Sequence, residues 1–455
     1  MSFPKGFVWG AAAASYQIEG GAEQDGKGLS VWDMMCRQPG KIWSGHDGNI
    51  ACDHYHRYSE DVAIMGEIGL MAYRLSISWS RVIPDGVGKV NQAGLAFYDR
   101  LIDCLWERGI QPWVTLFHWD YPYSLYCRGG WLNRDSADWF AEYVRVVVDK
   151  LSDRVSHWIV QNEPQCFIGL GHQTGEHAPG LKLGFAEVLL ASHHSLLAHG
   201  KAIQVIRSRA KLQPIVGTAL VGIVKIPASN SPEDIETARK QMFSIAEKNC
   251  WNNTWFADPI IFGKYPQDGI ELFGKEMVEI RNGDLATICQ PLDFYGVNIY
   301  HGEYVRHKSD KLAPERLALT TMDWSVTPEA LYWGPRFFYE RTQLPIVITE
   351  NGMANCDWRH FDGKVHDPQR IDFLTRYLRE YERAIDDGVE SKGYFLWSIM
   401  DNFEWAYGYK QRFGIVYVDY STQQRLLKDS AYWYRQVIAS NGAIINDATN
   451  PTIAR

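Results

Sequence analysis

Three features of the sequence predict an α/β fold closed into a single (β/α)8 TIM barrel. β-rich runs alternate strictly with helical stripes along all 455 residues, which implies a parallel sheet. There are eight such units, enough to close a barrel. No GxGxxG turn follows an early strand, as an open doubly wound sheet would normally carry; Gly169, Gly171 and Gly175 are spaced GxGxxxG.

The elements read in order as follows. Residues 7–16 are taken as strand despite the helix propensity of Ala11 to Ala14, because Gly10 and the small residues suit close packing at a barrel bottom; Gln17 and Glu19 follow. Residues 55–68 place Tyr55, Tyr58, Val62, Met65 and Ile68 at helical spacing. Strand 71–79 carries Arg74, and helix 92–108 repeats the stripe with Leu95, Tyr98, Leu101, Ile102 and Leu105. Strand 111–119 ends in His118-Trp119, followed by Asp120; helix 135–151, strand 157–163 and helix 184–209 follow. Strand 214–221, helix 233–249 and strand 292–300 lead into an irregular stretch to about Asp323, with 309–319 a polar loop. Helix 327–341, strand 345–350, helix 368–386, strand 393–400 and helix 429–440 complete the set. No linker or charge run divides the chain, so residues 1–455 read as one catalytic domain.

Two of these strands share a design. Ile346-Val347-Ile348 is a β-branched run with Pro345 before it and Glu350-Asn351-Gly352 at its end; His157-Trp158-Ile159-Val160 runs into Asn162-Glu163-Pro164. A carboxylate at the tip of a buried strand is costly and needs a reason. A structural ion pair would serve for either alone, but two strands each delivering a glutamate is what a two-carboxylate enzyme needs. Strand C-terminal ends converge on one barrel rim, which gathers Gln17, Arg74, His118, Trp119, Asn162, Glu163, Asn298, Tyr300, Glu350, Asn351 and Trp397. That set holds neutral hydrogen-bonders and flat aromatics, and no Cys/His nucleophile pair or phosphate loop. His54-x-His56 and His193-His194 are the nearest metal-like spacings; without an acidic partner at i+4 they read as surface or packing histidines, and no metal is expected.

Bulk properties narrow the partners. A net charge of -8 and a pI near 6.0 argue against nucleic acid or an anionic membrane. The 13% aromatic content supplies core, and also platforms for flat, partly apolar ligands such as sugar rings. The 8 Cys form no CxxC pair and read as buried reduced thiols. Residues 1–6 begin no apolar h-region and no run reaches a membrane-spanning length, so a cytoplasmic protein is expected.

Two carboxylates in such a site match glycoside hydrolysis, with the groups about 5 Å apart if configuration is retained. Arg74 is expected to depress the pKa of Glu350 and keep it charged, while apolar neighbours and the field of Glu350 raise Glu163. Once Glu350 becomes a neutral ester that field vanishes, and Glu163 can then act as a base.

At this point Asn162-Glu163-Pro164 and Ile348-Thr349-Glu350-Asn351-Gly352 resemble the acid/base and nucleophile signatures of glycoside hydrolase family 1, the β-glucosidase family. Phe7-Val-Trp-Gly-Ala11, Tyr73-Arg-Leu-Ser-Ile-Ser-Trp-Ser-Arg81, His118-Trp-Asp120, His177-Ala-Pro-Gly180, Gly296-Val-Asn298 and Asp401-Asn-Phe-Glu-Trp405 extend the likeness along the chain. The resemblance implies a retaining mechanism without cofactor, with Glu350 as nucleophile and Glu163 as acid/base. It assigns Gln17, His118, Asn162, Glu404 and Trp405 to sugar hydroxyls, Trp397 to the face of the ring, Arg74 and Tyr300 to the orientation of Glu350, and Trp324 to the aglycone side. Trp119 and Asn298 complete the expected substrate-binding set. Glu404 is expected to repel a 6-phosphate. Unphosphorylated β-glucosides and short cello-oligosaccharides are thus the expected substrates, with β-galactosides and β-fucosides secondary. Gln165 stands where the family commonly has Trp, Ile299 where it has Tyr, and 121–127 is unusual; these are expected to border the aglycone entrance. A carbohydrate-binding pseudoenzyme and a predominantly transglycosylating enzyme are the alternatives on the same barrel.

Overall fold

The computed structural model describes residues 3–308 and 317–446. Eight parallel strands close a barrel: β1 (Val8–Ala12), β2 (Ala72–Ser76), β3 (Gln111–Phe117), β4 (His157–Asn162), β5 (Ile215–Val221), β6 (Tyr295–Asn298), β7 (Ile346–Asn351) and β8 (Ser391–Trp397). Each is followed by an outer helix: α1 (His54–Ile68), α2 (Gln92–Glu107), α3 (Ser136–Leu151), α4 (Phe185–Arg209), α5 (Pro232–Phe243), α6 (Ala330–Thr342), α7 (Pro368–Asp386) and α8 (Asp429–Ala439). The helical stripes do what their spacing requires: Leu95, Tyr98, Leu101, Ile102 and Leu105 of α2 are all buried against the sheet.

Gly10 explains the small residues of β1. A Cβ there would meet the Phe395 ring at 2.5 Å and the Ala72 carbonyl oxygen at 2.9 Å, so only glycine lets β1 lie between β8 and β2. The barrel bottom is plugged by aromatics: Trp113 stacks on His157 at 4.2 Å and contacts Phe395 at 4.8 Å. Burial there lowers the His157 pKa to about 4, so it packs as a neutral ring.

Several boundaries differ from the sequence reading. The run 7–16 leaves the sheet after Ala12, and Ser15–Ile18 turns helical, carrying Gln17. The helix expected over 233–249 stops at Phe243, and the following residues form cavity wall instead. Strand β3 ends before His118 because Trp119 adopts φ +77°, and β4 ends before Glu163, at φ +46°. Of the 309–319 loop, residues 309–316 lie outside the described residues. Unforeseen elements include the parallel pair Val224–Pro227 and Gly302–Val305, and a π-helix, Gln165–Thr174, that contains Gly169 and Gly171. Cys127 and Cys356 are exposed, against the expectation of buried thiols, and all eight cysteines are free. His193 and His194 are buried packing histidines as expected, and buried His54 bonds Asp61 at 2.7 Å. Among the described residues no helix is long and apolar enough to cross a membrane, and no cluster of three His, Cys, Asp or Glu could hold a metal ion.

Candidate active site

The C-terminal rim of the barrel opens into a cavity of about 840 Å³. Strands β4 and β7 bring Glu163 and Glu350 to its floor, where they are 7% and 3% exposed. The sheet registers shift between Ile159 and Asn162, between Val297 and Asn298, and between Tyr394 and Leu396. Such irregularities at strand ends re-aim side chains out of the ladder.

A continuous polar network joins the two carboxyls. Arg74 Nη1 donates to Glu350 Oε1 at 2.5 Å, Nη2 to Asn162 Oδ1 at 2.6 Å, and Nε to Thr115 Oγ1 at 3.1 Å. Tyr300 OH donates to Glu350 Oε2 at 2.7 Å. Asn298 Nδ2 donates to Glu163 Oε1 at 2.8 Å and lies 3.1 Å from Asn162 Oδ1, while Thr349 Oγ1 holds its Oδ1 at 2.6 Å. Cys166 Sγ donates to the remaining oxygen of Glu163, Oε2, at 3.2 Å.

Burial and the charge of Glu350 raise Glu163 to about 7, against the smaller pull of Asn298, Cys166 and Arg74. For Glu350 the sequence expectation needs correction. Arg74 does lower its pKa, as do Tyr300 and Asn298, but burial outweighs them and the group stands above the usual carboxylate range. The two titrate as a pair. Among the described residues Glu350 is the one of the two with a salt-bridged cation, which favours the pair's negative charge on it. Burial, then the charges of Glu350 and Glu163, raise Glu404 to about 8. Burial and the nearby Arg74 cation hold His118 well below its usual value, so its ring is neutral.

The other expected residues gather here too. Trp119, Asn298, Tyr300, Trp324, Trp397, Glu404 and Trp405 line the cavity with His118 and Asn162. The His118 ring lies nearly parallel to Trp397 at 5.8 Å and to Trp405 at 5.9 Å. Trp119 Nε1 donates to the Asn162 carbonyl at 2.9 Å, and Trp324 packs on Tyr300 at 5.1 Å. Arg74 and Gln17 sit one layer behind the wall. Gln17 Nε2 donates to Asn402 Oδ1, the Phe403 carbonyl and Glu404 Oε2 at 3.0, 2.9 and 3.3 Å. Asn351 turns away, donating to the Ile299 carbonyl at 2.7 Å.

The departures flagged in the sequence do not border the cavity. Ile299 is fully buried, and Tyr121 packs on Trp79 and Trp131. Gln165 lies behind the wall, within 3.4 Å of both the Asn252 carbonyl and the Val221 amide. What the sequence reading missed is the outer wall. Lys225, Gln241, Asn249, Trp251 and Glu303 line the mouth, and Trp251 is 47% exposed. Residue 249 was hidden by extending a helix through Ser244. Cys166 was also missed, although it lies three residues after Glu163 at the start of a helical segment, within side-chain reach.

A family model described as Glycosyl hydrolase family 1 matches residues 1–443. Beta-glucosidase A of Acetivibrio thermocellus is 46% identical over 453 residues, covering 97% of this chain and 99% of the relative. A 1,4-beta-D-glucan glucohydrolase of Thermotoga neapolitana is 46% identical with the same coverage. Among solved structures, the beta-glucosidase from Thermotoga maritima in complex with glucoimidazole superposes with a TM-score of 0.90 at 44% identity, covering 97% of this chain and 99% of that one.

Proposed function

This chain belongs to glycosyl hydrolase family 1 and is a β-glucosidase, and from that premise we propose that it removes terminal non-reducing β-D-glucosyl units from β-glucosides and short cello-oligosaccharides by double displacement. One observation carries the reading most directly: two buried carboxyls share a cavity and differ in their partners, Glu350 with Arg74 and Glu163 with neutral donors.

In the first step Glu350 attacks the anomeric carbon while Glu163 gives its proton to the departing glycosidic oxygen. A glycosyl ester on Glu350 forms and the acetal C–O bond breaks. Esterification removes the Glu350 charge, one of the two causes that raise Glu163. Glu163, left ionised by that proton transfer and free of the opposing charge, takes a proton from water, whose oxygen attacks the anomeric carbon and displaces Glu350. Arg74 and Tyr300 hold both oxygens of Glu350 and stabilise its carboxylate as it departs.

The remaining residues suit a pyranose. Trp397 offers a flat face, and His118, Asn162, Glu404 and Trp405 offer donors and acceptors. Gln17 stands behind them and acts on the sugar through Glu404, whose Oε2 it holds at 3.3 Å. Trp119 and Asn298 hold this group in place, and Trp324 flanks the aglycone. The polar, half-exposed mouth suits a second sugar better than an apolar aglycone. Among the described residues a 6-phosphate would find no uncommitted cation beside Glu404: Arg74 is bound to Glu350, and Lys225 is paired with Glu303 at the mouth. β-Galactosides and β-fucosides are proposed as secondary substrates, and the whole chain as one catalytic domain.

The test is chemical rescue. Glu350→Gly should abolish turnover of an aryl β-glucoside, and azide should restore it as the α-glycosyl azide. In Glu163→Gly, azide should instead yield the β-glycosyl azide through the intact nucleophile. The opposite pairing of anomers would reverse the roles, and turnover of a 6-phosphoglucoside above that of cellobiose would overturn the substrate reading.

A further inference from the structure

Glu163 is held on both oxygens by donors of different kinds. Asn298 Nδ2 is fixed on Oε1 at 2.8 Å, its own Oδ1 clamped by Thr349. Cys166 Sγ lies 3.2 Å from Oε2. The thiol is fixed by the backbone: Cys166 N donates to the Glu163 carbonyl at 2.9 Å as the π-helix starts. Cys166 is 6% exposed and lines the cavity. Burial, then the charge of Glu163, push its pKa well above the ordinary thiol value, so it stays a neutral S–H.

An amide N–H and a thiol S–H are not equivalent partners for a group that changes protonation. The amide always donates, so Oε1 is permanently occupied and the acid proton sits on Oε2. A thiol hydrogen rotates about the Cβ–Sγ bond: it donates to an ionised Oε2 and turns aside when Oε2 carries its own proton. We propose that Cys166 is a positioning residue for Glu163, directing the transferable proton to Oε2 and donating to that oxygen only when Glu163 is ionised, so that it favours the step in which Glu163 acts as a base. This rests on the double-displacement reading above.

Other charged and titratable groups also face Glu163: Arg74 of β2, His118 after β3, Tyr300 after β6, Glu350 of β7 and Glu404 after β8. All remain when the thiol is removed, so a Cys166 variant isolates one hydrogen bond.

The sign follows. Removing a donor to the ionised form raises the Glu163 pKa. In Cys166→Val, which keeps bulk without a donor, the basic limb of kcat/KM for cellobiose should move up by about 0.3–0.5 pH unit, the size of a weak thiol hydrogen bond. The acidic limb of kcat for 2,4-dinitrophenyl β-glucoside, limited by deglycosylation, should move up by a similar amount. Cys166→Ser, which retains a donor, should restore most of both shifts. A purely structural role would lower rates without moving either limb. Superimposable profiles for wild type and Cys166→Val, or a Ser variant shifted as far as Val, would overturn the proposal. The underlying reading is checked separately: the basic limb should vanish in Glu163→Gln, and its survival there would sink the Glu163 assignment rather than the role of Cys166.

Discussion

Glu163 keeps a proton near neutrality at a cost to the fold. Its pKa in the folded state is about 7, against about 4.3 for an unperturbed glutamate. A raised folded-state pKa means that stability is fully present below the unfolded value and declines as pH rises through the folded one. Glu163→Gln removes the ionisation, so its melting temperature should exceed that of wild type at pH 8, by the equivalent of about 3–4 kcal/mol. The gain should shrink to about 1 kcal/mol by pH 5, where Glu163 is neutral in the folded protein. Calorimetry at the two pH values checks this, and a variant no more stable at pH 8 would show the strain to be elsewhere. The same groups shape activity. Turnover needs Glu350 ionised and Glu163 protonated, so kcat/KM for cellobiose should be bell-shaped, with its basic limb near 7. An activated aryl glucoside needs no proton on its leaving group, and Glu163→Gln should slow cellobiose far more than that substrate; equal losses would count against an acid role.

At the scale of elements, the segment after β8 carries Glu404 and Trp405 and is anchored from below by a buried ionic network. Lys428 Nζ binds Asp357 Oδ2 at 2.5 Å and Asp401 Oδ1 at 2.7 Å. Arg412 Nη1 binds Asp401 Oδ2 at 2.6 Å, and Arg370 Nη2 binds Asp357 at 2.7 Å. Replacing one partner strands the others, so Lys428→Met should lose about 3–5 kcal/mol. Because Asp401 begins the segment that presents Glu404, the surviving folded enzyme should show a raised KM for cellobiose, with kcat less affected. A stability loss under 1 kcal/mol would mean that solvent or Arg412 compensates. This segment also marks how far the sequence could be read. Asp401-Asn-Phe-Glu-Trp405 was legible as a motif, as were the eight strands, because β-branched runs and helical stripes are local patterns. Lys428 and Asp357 were not, since their partnership depends on where distant loops fold back. Nor were the left-handed backbones of Trp119, Glu163 and Trp405, at φ +77°, +46° and +49°. Non-glycine residues rarely adopt that conformation, and their identity gives no sign of it. Three cavity residues share it, which fits strain held at a functional site by the surrounding structure.

At the scale of the molecule, the barrel closes by joining its first strand to its last, and the segments flanking that seam meet beneath it. Five residue pairs of β1 and β8 are in register. Below them Trp9 Nε1 donates to Asn441 Oδ1 at 3.0 Å, Asn441 Nδ2 to the Phe3 carbonyl at 2.6 Å, and Tyr434 OH to the Gly10 carbonyl at 2.7 Å. Gly442, at φ +85°, lets the chain pass within 2.4 Å of where a Cβ would meet the Phe3 ring. Opening this seam would expose the edges of β1 and β8, so no part of the sheet can come apart without the rest losing its partners. If the chain is one domain, heating should therefore give one transition, with loss of activity and change in tryptophan fluorescence at the same midpoint. Asn441→Ala removes both of its side-chain bonds at the seam and should lower that midpoint by the equivalent of about 1–3 kcal/mol while the two probes stay coincident. It lies at the opposite end of the barrel from Glu163 and Glu350, so kcat/KM at 25 °C should be unchanged. Two separated transitions, in either protein, would show that the halves of the barrel unfold as independent units.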